Sequence, residues 1–307
     1  MPRPLRYQSA PWSTHHVVSR CLQGFAFLKP TPAVVETCAG LLAYSLDQHQ
    51  EVIKLHHYAF LSNHFHLILS ARTRGDLSSF MRLFKSKLTR ELNRIHDWGG
   101  TIWSGRYASE ELLDEGSVLK LLAYVTQNSV KEGLVDHPKQ WSGLHGYHLL
   151  VEKKTPRGAY LDRTRLQREP ELTAQEATTY YDVQLSPPPL WEDEGMEAYQ
   201  ARCATLFEEA IAEAQQARDG RSSLGMAQVI SQPLLKEREA PKGGRPLCRA
   251  QCRELLKAFK ERYRIFKRQF QEVSREVRRS ITLGLPLPPL CFPEGGVPLF
   301  GACEEPS

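Results

Sequence analysis

The chain is 307 residues long, room for about two domains that each bury their own core. With 41% hydrophobic and 24% charged residues it reads as globular, and no apolar run reaches the ~18 residues of a membrane span, since even 33–46 is broken by Glu36; no membrane partner is expected. The formal net charge of +5 is modest, so local clusters of charge matter more than the total.

In chain order, the opening segment Met1 to Gln8 is charged with no apolar run behind it and does not read as a secretory signal. His15 to Leu22 is short and β-branched, which predicts a strand. Thr31 to Gln48 predicts a helix with Thr31 as N-cap and Pro32 at the first helical position. Glu51 to Phe60 and His64 to Ser70 predict an antiparallel hairpin about the short turn Leu61-Ser62-Asn63. Asp76 is expected to cap a helix ending near Asp97, before Gly99-Gly100. Ile102 to Leu113 reads as a strand and Gly116 to Ser129 as a helix. The order β-α-β-β-α-β-α predicts an α+β fold, a ferredoxin-like or RRM-like antiparallel sheet with helices on one face and the other face free.

Beyond residue 150 the composition changes. All eleven histidines precede that point and fourteen of the twenty prolines follow it, so we expect a division into 1–150 and a mostly helical, partly basic region 151–307. Ser186-Pro187-Pro188-Pro189 reads as a linker or stiff surface turn. Met196, Tyr199, Cys203, Leu206, Phe207, Ala210 and Ile211 form one apolar helical stripe. Leu255, Leu256, Phe259, Tyr263, Phe266, Phe270, Val273 and Val277 form a longer one, on a predicted helix from about Cys248 to Arg279 with eleven Lys and Arg against four Asp and Glu. The tail beyond Leu283, rich in Pro and Gly, is expected to be extended or partly disordered. Seven cysteines at irregular spacing suit reduced thiols in the cytoplasm, and Cys248 and Cys252, four apart, suit a helix better than a zinc knuckle.

His64 and His66 flank Phe65 on a predicted strand, so both imidazoles point to one face and can grip a divalent ion together. Two solvent-facing histidines on a half-exposed strand would show the same spacing. Tyr124 and Asn128 stand four apart on the last predicted helix of the first region, with Leu121, Leu122 and Val125 as its docking stripe. Laid across the free sheet face, that helix offers Asn128 as a third, oxygen ligand and Tyr124 as a phenol beside the metal. Such a set with open positions suits Mg²⁺ or Mn²⁺. A tyrosine at the edge of the core is the simpler account of Tyr124 alone.

Taken together, Thr14 to Arg20 (THHVVSR), Ser62 to Leu69 (SNHFHLIL), Trp103 to Tyr107 (WSGRY), Tyr124 to Val135 (YVTQNSVKEGLV) and Trp141-Ser142 resemble the single-tyrosine transposases of the H-U-H endonuclease superfamily, most closely the REP-associated tyrosine transposases. The resemblance spans about Pro2 to Leu149. It implies the H-U-H nuclease fold, His64 and His66 as paired metal ligands, Asn128 as the third ligand and Tyr124 as the nucleophile. Family members commonly carry proline after that asparagine, where this chain has Ser129. The activity it implies is single-strand DNA cleavage and strand transfer through a 5′-phosphotyrosine link, on single-stranded or hairpin DNA. An inactive or domesticated relative that only holds hairpin DNA is the rival reading. A small-molecule metallohydrolase is disfavoured, because no general-base carboxylate accompanies the histidine pair in the sequence.

Cations for phosphate are expected from Arg82, Lys85, Lys87, Arg90 and Arg94 on the second helix, from Arg106, and from Lys257, Lys260, Arg264, Lys267 and Arg268 on the long C-terminal helix. Solvated helix faces carry such charges as well. The protein is expected to act as a monomer or a homodimer.

Overall fold

The protein is described from a computed structural model that places residues 5–237 and 246–285. Residues 1–4 and 286–307, which include most of the tail expected to be extended or partly disordered, lie outside the described residues. The elements run β1 (Ser13–Arg20), α1 (Pro32–Asp47), β2 (Ile53–Leu61), β3 (His64–Ala71), α2 (Arg74–Ile95), β4 (Ala108–Leu112), α3 (Glu115–Lys131), α4 (Gly146–Leu150), β5 (Arg157–Leu161), α5 (Arg163–Arg168), β6 (Thr178–Asp182), α6 (Gly195–Ala217), α7 (Met226–Ser231), β7 (Cys248–Arg249) and α8 (Arg253–Leu283).

The main sheet has the order β2-β3-β1-β4-β7, antiparallel except for β7, which lies parallel to β4. Its register sets the chemistry. Val18 sits opposite His66, Arg20 opposite His64, and His16 opposite both Ile68 and Glu110, so His16, His64, His66 and Glu110 share one face. Phe65 points to the other face, where it meets Phe60 and, on α2, Phe84. α1 and α2 therefore cover the face away from the histidines. A bulge between Leu55 and His57 inserts one residue into β2, and two consecutive histidines then find buried partners: His56 meets Ser70 and the Ser186 carbonyl, each at 2.8 Å, and His57 meets Thr126 of α3 at 2.9 Å.

Several sequence expectations are corrected here. The histidine face carries more than α3, because α6 packs on α3 in turn; Phe207 reaches the His57 ring and the Tyr199 hydroxyl donates to the His56 carbonyl at 3.0 Å. Thr73, not Asp76, is the N-cap of α2, with Asp76 completing a capping box from the third helical position. The strand expected over 102–113 is only Ala108–Leu112. Cys248 is not helical but lies in β7, and Cys252 is the N-cap of α8. Ser186 is pinned by its N–H to the Leu55 carbonyl at 2.8 Å, and Pro188 is buried.

Residues beyond 150 enter the first core directly, with Val183, Leu185, Trp191, Tyr199, Cys203, Phe207 and Ile211 in the same buried cluster as Val17, Phe65 and Val125. The β5-β6 hairpin docks on α1 backbone to backbone. A Cβ at Gly40 would land on the Ala159 carbonyl, and one at Gly158 on the Gly40 amide. Gly40→Ala is expected to cost roughly 1–3 kcal/mol by forcing the hairpin off α1. Urea unfolding measures this, and an unchanged midpoint would mean that the hairpin does not sit there.

Burial also fixes an acid limit. It lowers the His15 and His56 pKa values to about 4 and that of His145 to about 3, all three being inaccessible to water. Unfolded, each would take a proton near pH 6.5, so the stability gained by keeping them neutral is complete above that pH and is lost as pH falls from about 6.5 towards 4. Roughly 3 kcal/mol is at stake for His15 and for His56, and about 5 kcal/mol for His145. Burial raises the Glu111 pKa and works in the opposite direction, but it is one group against three. The urea midpoint should therefore drop clearly between pH 7.5 and pH 5; a flat profile would contradict the buried neutral histidines.

Candidate active site

Tyr124 and Asn128 are placed by a strongly determined helix. Asp114 caps α3 by accepting the Ser117 N–H at 2.8 Å, and Val118, Leu121, Leu122 and Val125 dock it on the sheet. The helix continues past Ser129 to Lys131, so serine in place of the family's proline leaves Asn128 inside regular helix. Asn128 is buried, with its amide nitrogen 2.9 Å from His66 Nε2. The half-buried Tyr124 ring stands edge-on to both His66 and His16, at 5.8 and 6.3 Å between centroids. The structure thus brings together His64, His66, Tyr124 and Asn128. His64 meets His66 at 4.9 Å between rings and is held by Asn63 Oδ1, 2.6 Å from its Nδ1.

Two further residues join them that the motif reading passed over. His16 Nε2 lies 2.8 Å from His66 Nδ1, the two rings parallel within 5°, and His16 Nδ1 lies 2.6 Å from a Glu110 carboxylate oxygen. The other Glu110 oxygen accepts from Arg249 Nε at 2.7 Å. Burial pushes the Glu110 carboxyl upward, but the hydrogen bonds from His16 and Arg249 and the Arg249 charge outweigh it and hold the carboxyl below the usual range. The carboxylate that the sequence did not show beside the histidine pair is therefore present, already engaged by His16 and Arg249. The signal that could have found it is strand pairing, because His16 and Glu110 are register partners across β1 and β4.

Beside this network a cleft of about 320 Å³ is lined by His16, Glu110, Lys120, Leu121, Tyr124, Pro246 and Arg249. Lys131 lies 5.5 Å from the Tyr124 ring centre, so Lys120 and Lys131 flank the phenol along α3. The cations expected on α2 are not brought to this cleft, because α2 covers the opposite sheet face. Lys85 donates to the Gly105 carbonyl at 3.0 Å, Lys87 to the Tyr160 hydroxyl at 2.6 Å, and Arg94 pairs with Glu91, while Arg82 and Arg90 are exposed. Arg106 is exposed beside the buried Tyr107. Lys257, Lys260, Arg264, Lys267 and Arg268 are exposed on α8, whose apolar side packs on Tyr7 and Leu5.

Among the described residues, no three His, Cys, Asp or Glu side chains converge on a metal position, so a cation at the histidine pair needs a ligand of another kind. Asn128 supplies it. Its Oδ1 is buried without a hydrogen-bond partner, and turning the amide over would set that oxygen where Nδ2 now meets His66 Nε2. Two imidazoles and one amide oxygen fit a hard divalent cation.

Among solved structures the chain is similar to a REP-associated tyrosine transposase bound to a REP hairpin, at 16% identity and a TM-score of 0.38, over 48% of this chain and 84% of that one. It is also similar to a candidate transposase from Deinococcus radiodurans R1, at 17% identity and a TM-score of 0.29, over 41% and 95% of the two chains. No curated protein matches the sequence. Residues 34–128, which contain His64, His66, Tyr124 and Asn128, match the family described as "Transposase IS200 like", in agreement with the resemblance carried by the motifs.

Proposed function

We propose that the protein is a metal-dependent single-strand DNA endonuclease and strand transferase, a transposase acting on single-stranded or hairpin DNA with Tyr124 as its nucleophile. The observation that carries this reading is the convergence of Tyr124 from α3 with the His64 and His66 rings from β3 at the edge of a cleft open to solvent. A phenol has a pKa near 10, so it loses its proton as it attacks. The open cleft lets water take that proton. The Tyr124 oxygen then bonds to phosphorus while the bond from phosphorus to the 3′-oxygen breaks. That oxygen picks up a proton and leaves as a free 3′-hydroxyl, with the 5′-phosphate esterified to Tyr124. Attack by the same or another 3′-hydroxyl reverses the step, so a strand is transferred with no external energy source.

His64, His66 and Asn128 would hold Mg²⁺ or Mn²⁺, His64 through Nε2 since Nδ1 is taken by Asn63. When bound, the cation neutralises charge that develops on the scissile phosphate. Lys120 and Lys131, one on each side of Tyr124, suit the flanking phosphates. The test is incubation with single-stranded hairpin DNA and Mn²⁺, followed by a denaturing gel. We expect a protein band shifted by covalently attached DNA; intact DNA with hairpin binding retained would leave the non-cutting rival reading instead.

A further inference from the structure

The polar chain around His66 has a direction. It runs from Arg249 on β7 through Glu110 on β4 and His16 on β1 to His66 on β3 and Asn128 on α3, with steps of 2.7, 2.6, 2.8 and 2.9 Å. A carboxylate only accepts, so His16 Nδ1–H must donate to Glu110. A neutral His16 then has an acceptor at Nε2, which takes the proton of His66 Nδ1–H. His66 is left with a lone pair on Nε2, and Asn128 Nδ2 donates to it. The reverse order would require His16 to donate from both nitrogens and carry charge. That charged imidazole would sit at a position 2% exposed, where the loss of hydration disfavours the charged form.

We propose that Glu110 and His16 are positioning residues that fix His66 as its Nδ1–H tautomer, so that its Nε2 lone pair faces Asn128 as a ready metal ligand, and that Arg249 anchors this setting from the C-terminal strand. The inference rests on the metal site proposed above. A carboxylate bonded to a ligating histidine commonly plays this part; here a second histidine stands between the two. The anchor comes from far along the chain. β7 is held on β4 by Glu111 N–H to the Leu247 carbonyl and Leu113 N–H to the Arg249 carbonyl, each at 2.9 Å, and Asp114 accepts the Gln251 and Cys252 amides at 2.6 and 3.0 Å. The chain that leads into α8 thus sets one end of the relay that ends at the ligand.

The experiment is nitrogen NMR of ring-labelled histidine in the metal-free full-length protein, with calorimetric Mn²⁺ titration of the same samples. In the wild type His66 should show a protonated Nδ1 and an unprotonated Nε2. Glu110→Gln should give a mixture of tautomers and weaken Mn²⁺ binding by about 10–100-fold. Arg249→Met, at an exposed position, is the sharper variant. Removing a nearby positive charge should by simple electrostatics strengthen Mn²⁺ binding, whereas a carboxylate released to turn away from His16 should weaken it. Protonated Nε2 on wild-type His66 would overturn the proposal, as would tighter Mn²⁺ binding in Arg249→Met. Wild-type protein with the expected tautomer but no Mn²⁺ affinity would sink the metal reading and leave the relay standing.

Discussion

Tyr124→Phe is expected to abolish the covalent DNA adduct while leaving the fold and hairpin affinity nearly unchanged. The ring fills the same space against His16 and His66 and under Lys131, so only the hydroxyl is lost. Cleavage should fall by at least ~10³-fold, equivalent to about 4 kcal/mol of transition-state stabilisation, because no other oxygen stands in its place. Thermal unfolding and DNA affinity of the variant serve as the controls. An adduct that persists would transfer the role to another tyrosine. Tyr107 is the weakest substitute, being buried and hydrogen-bonded to Arg6, while Tyr180 and Tyr181 lie on β6 of the small hairpin that packs on α1.

The contrast between His66 and Glu110 shows what a sequence can and cannot reveal here. The pairing of His64 with His66 follows from strand alternation within three residues, and that of Tyr124 with Asn128 from one helical turn; both are local periodicities. Glu110 meets His16 across 94 residues, and only the register of β1 against β4 places the two side by side. The α2 cations lie away from the cleft for a related reason. Their stripe is plain in the sequence, but which sheet face α2 covers is decided by Phe65 and Phe84, not by the charges. β7 escaped notice because two residues carry no periodicity, and Cys248 and Cys252 happen to share helical spacing. The bulge at His56 is likewise silent in the sequence, although it changes which histidines reach α3 and Ser186.

Charge reversal on α8 is the remaining large effect. Lys257, Lys260, Arg264, Lys267 and Arg268 fall on one stripe at helical spacing, opposite the buried Phe259, Phe266 and Val273. Changing all five to Glu should therefore spare the packing of α8 on Tyr7 and keep the fold. If this face holds DNA, hairpin affinity should fall steeply. The slope of log affinity against log salt should also become shallower by ~0.9 for each phosphate that is no longer neutralised, up to about 4.5 in all. Deleting the C-terminal region is a poorer test than the sequence alone suggests, because it also removes β7, strips Arg249 from Glu110 and uncovers Tyr7. A loss of binding after such a deletion would confuse a damaged site with a missing phosphate-binding face. The quintuple variant separates them: covalent cleavage of a short unstructured strand should survive when hairpin affinity is abolished, since the cleft at Tyr124 keeps Lys120, Lys131 and Arg249. Unchanged hairpin affinity together with an unchanged salt slope would show that α8 does not hold DNA through this face.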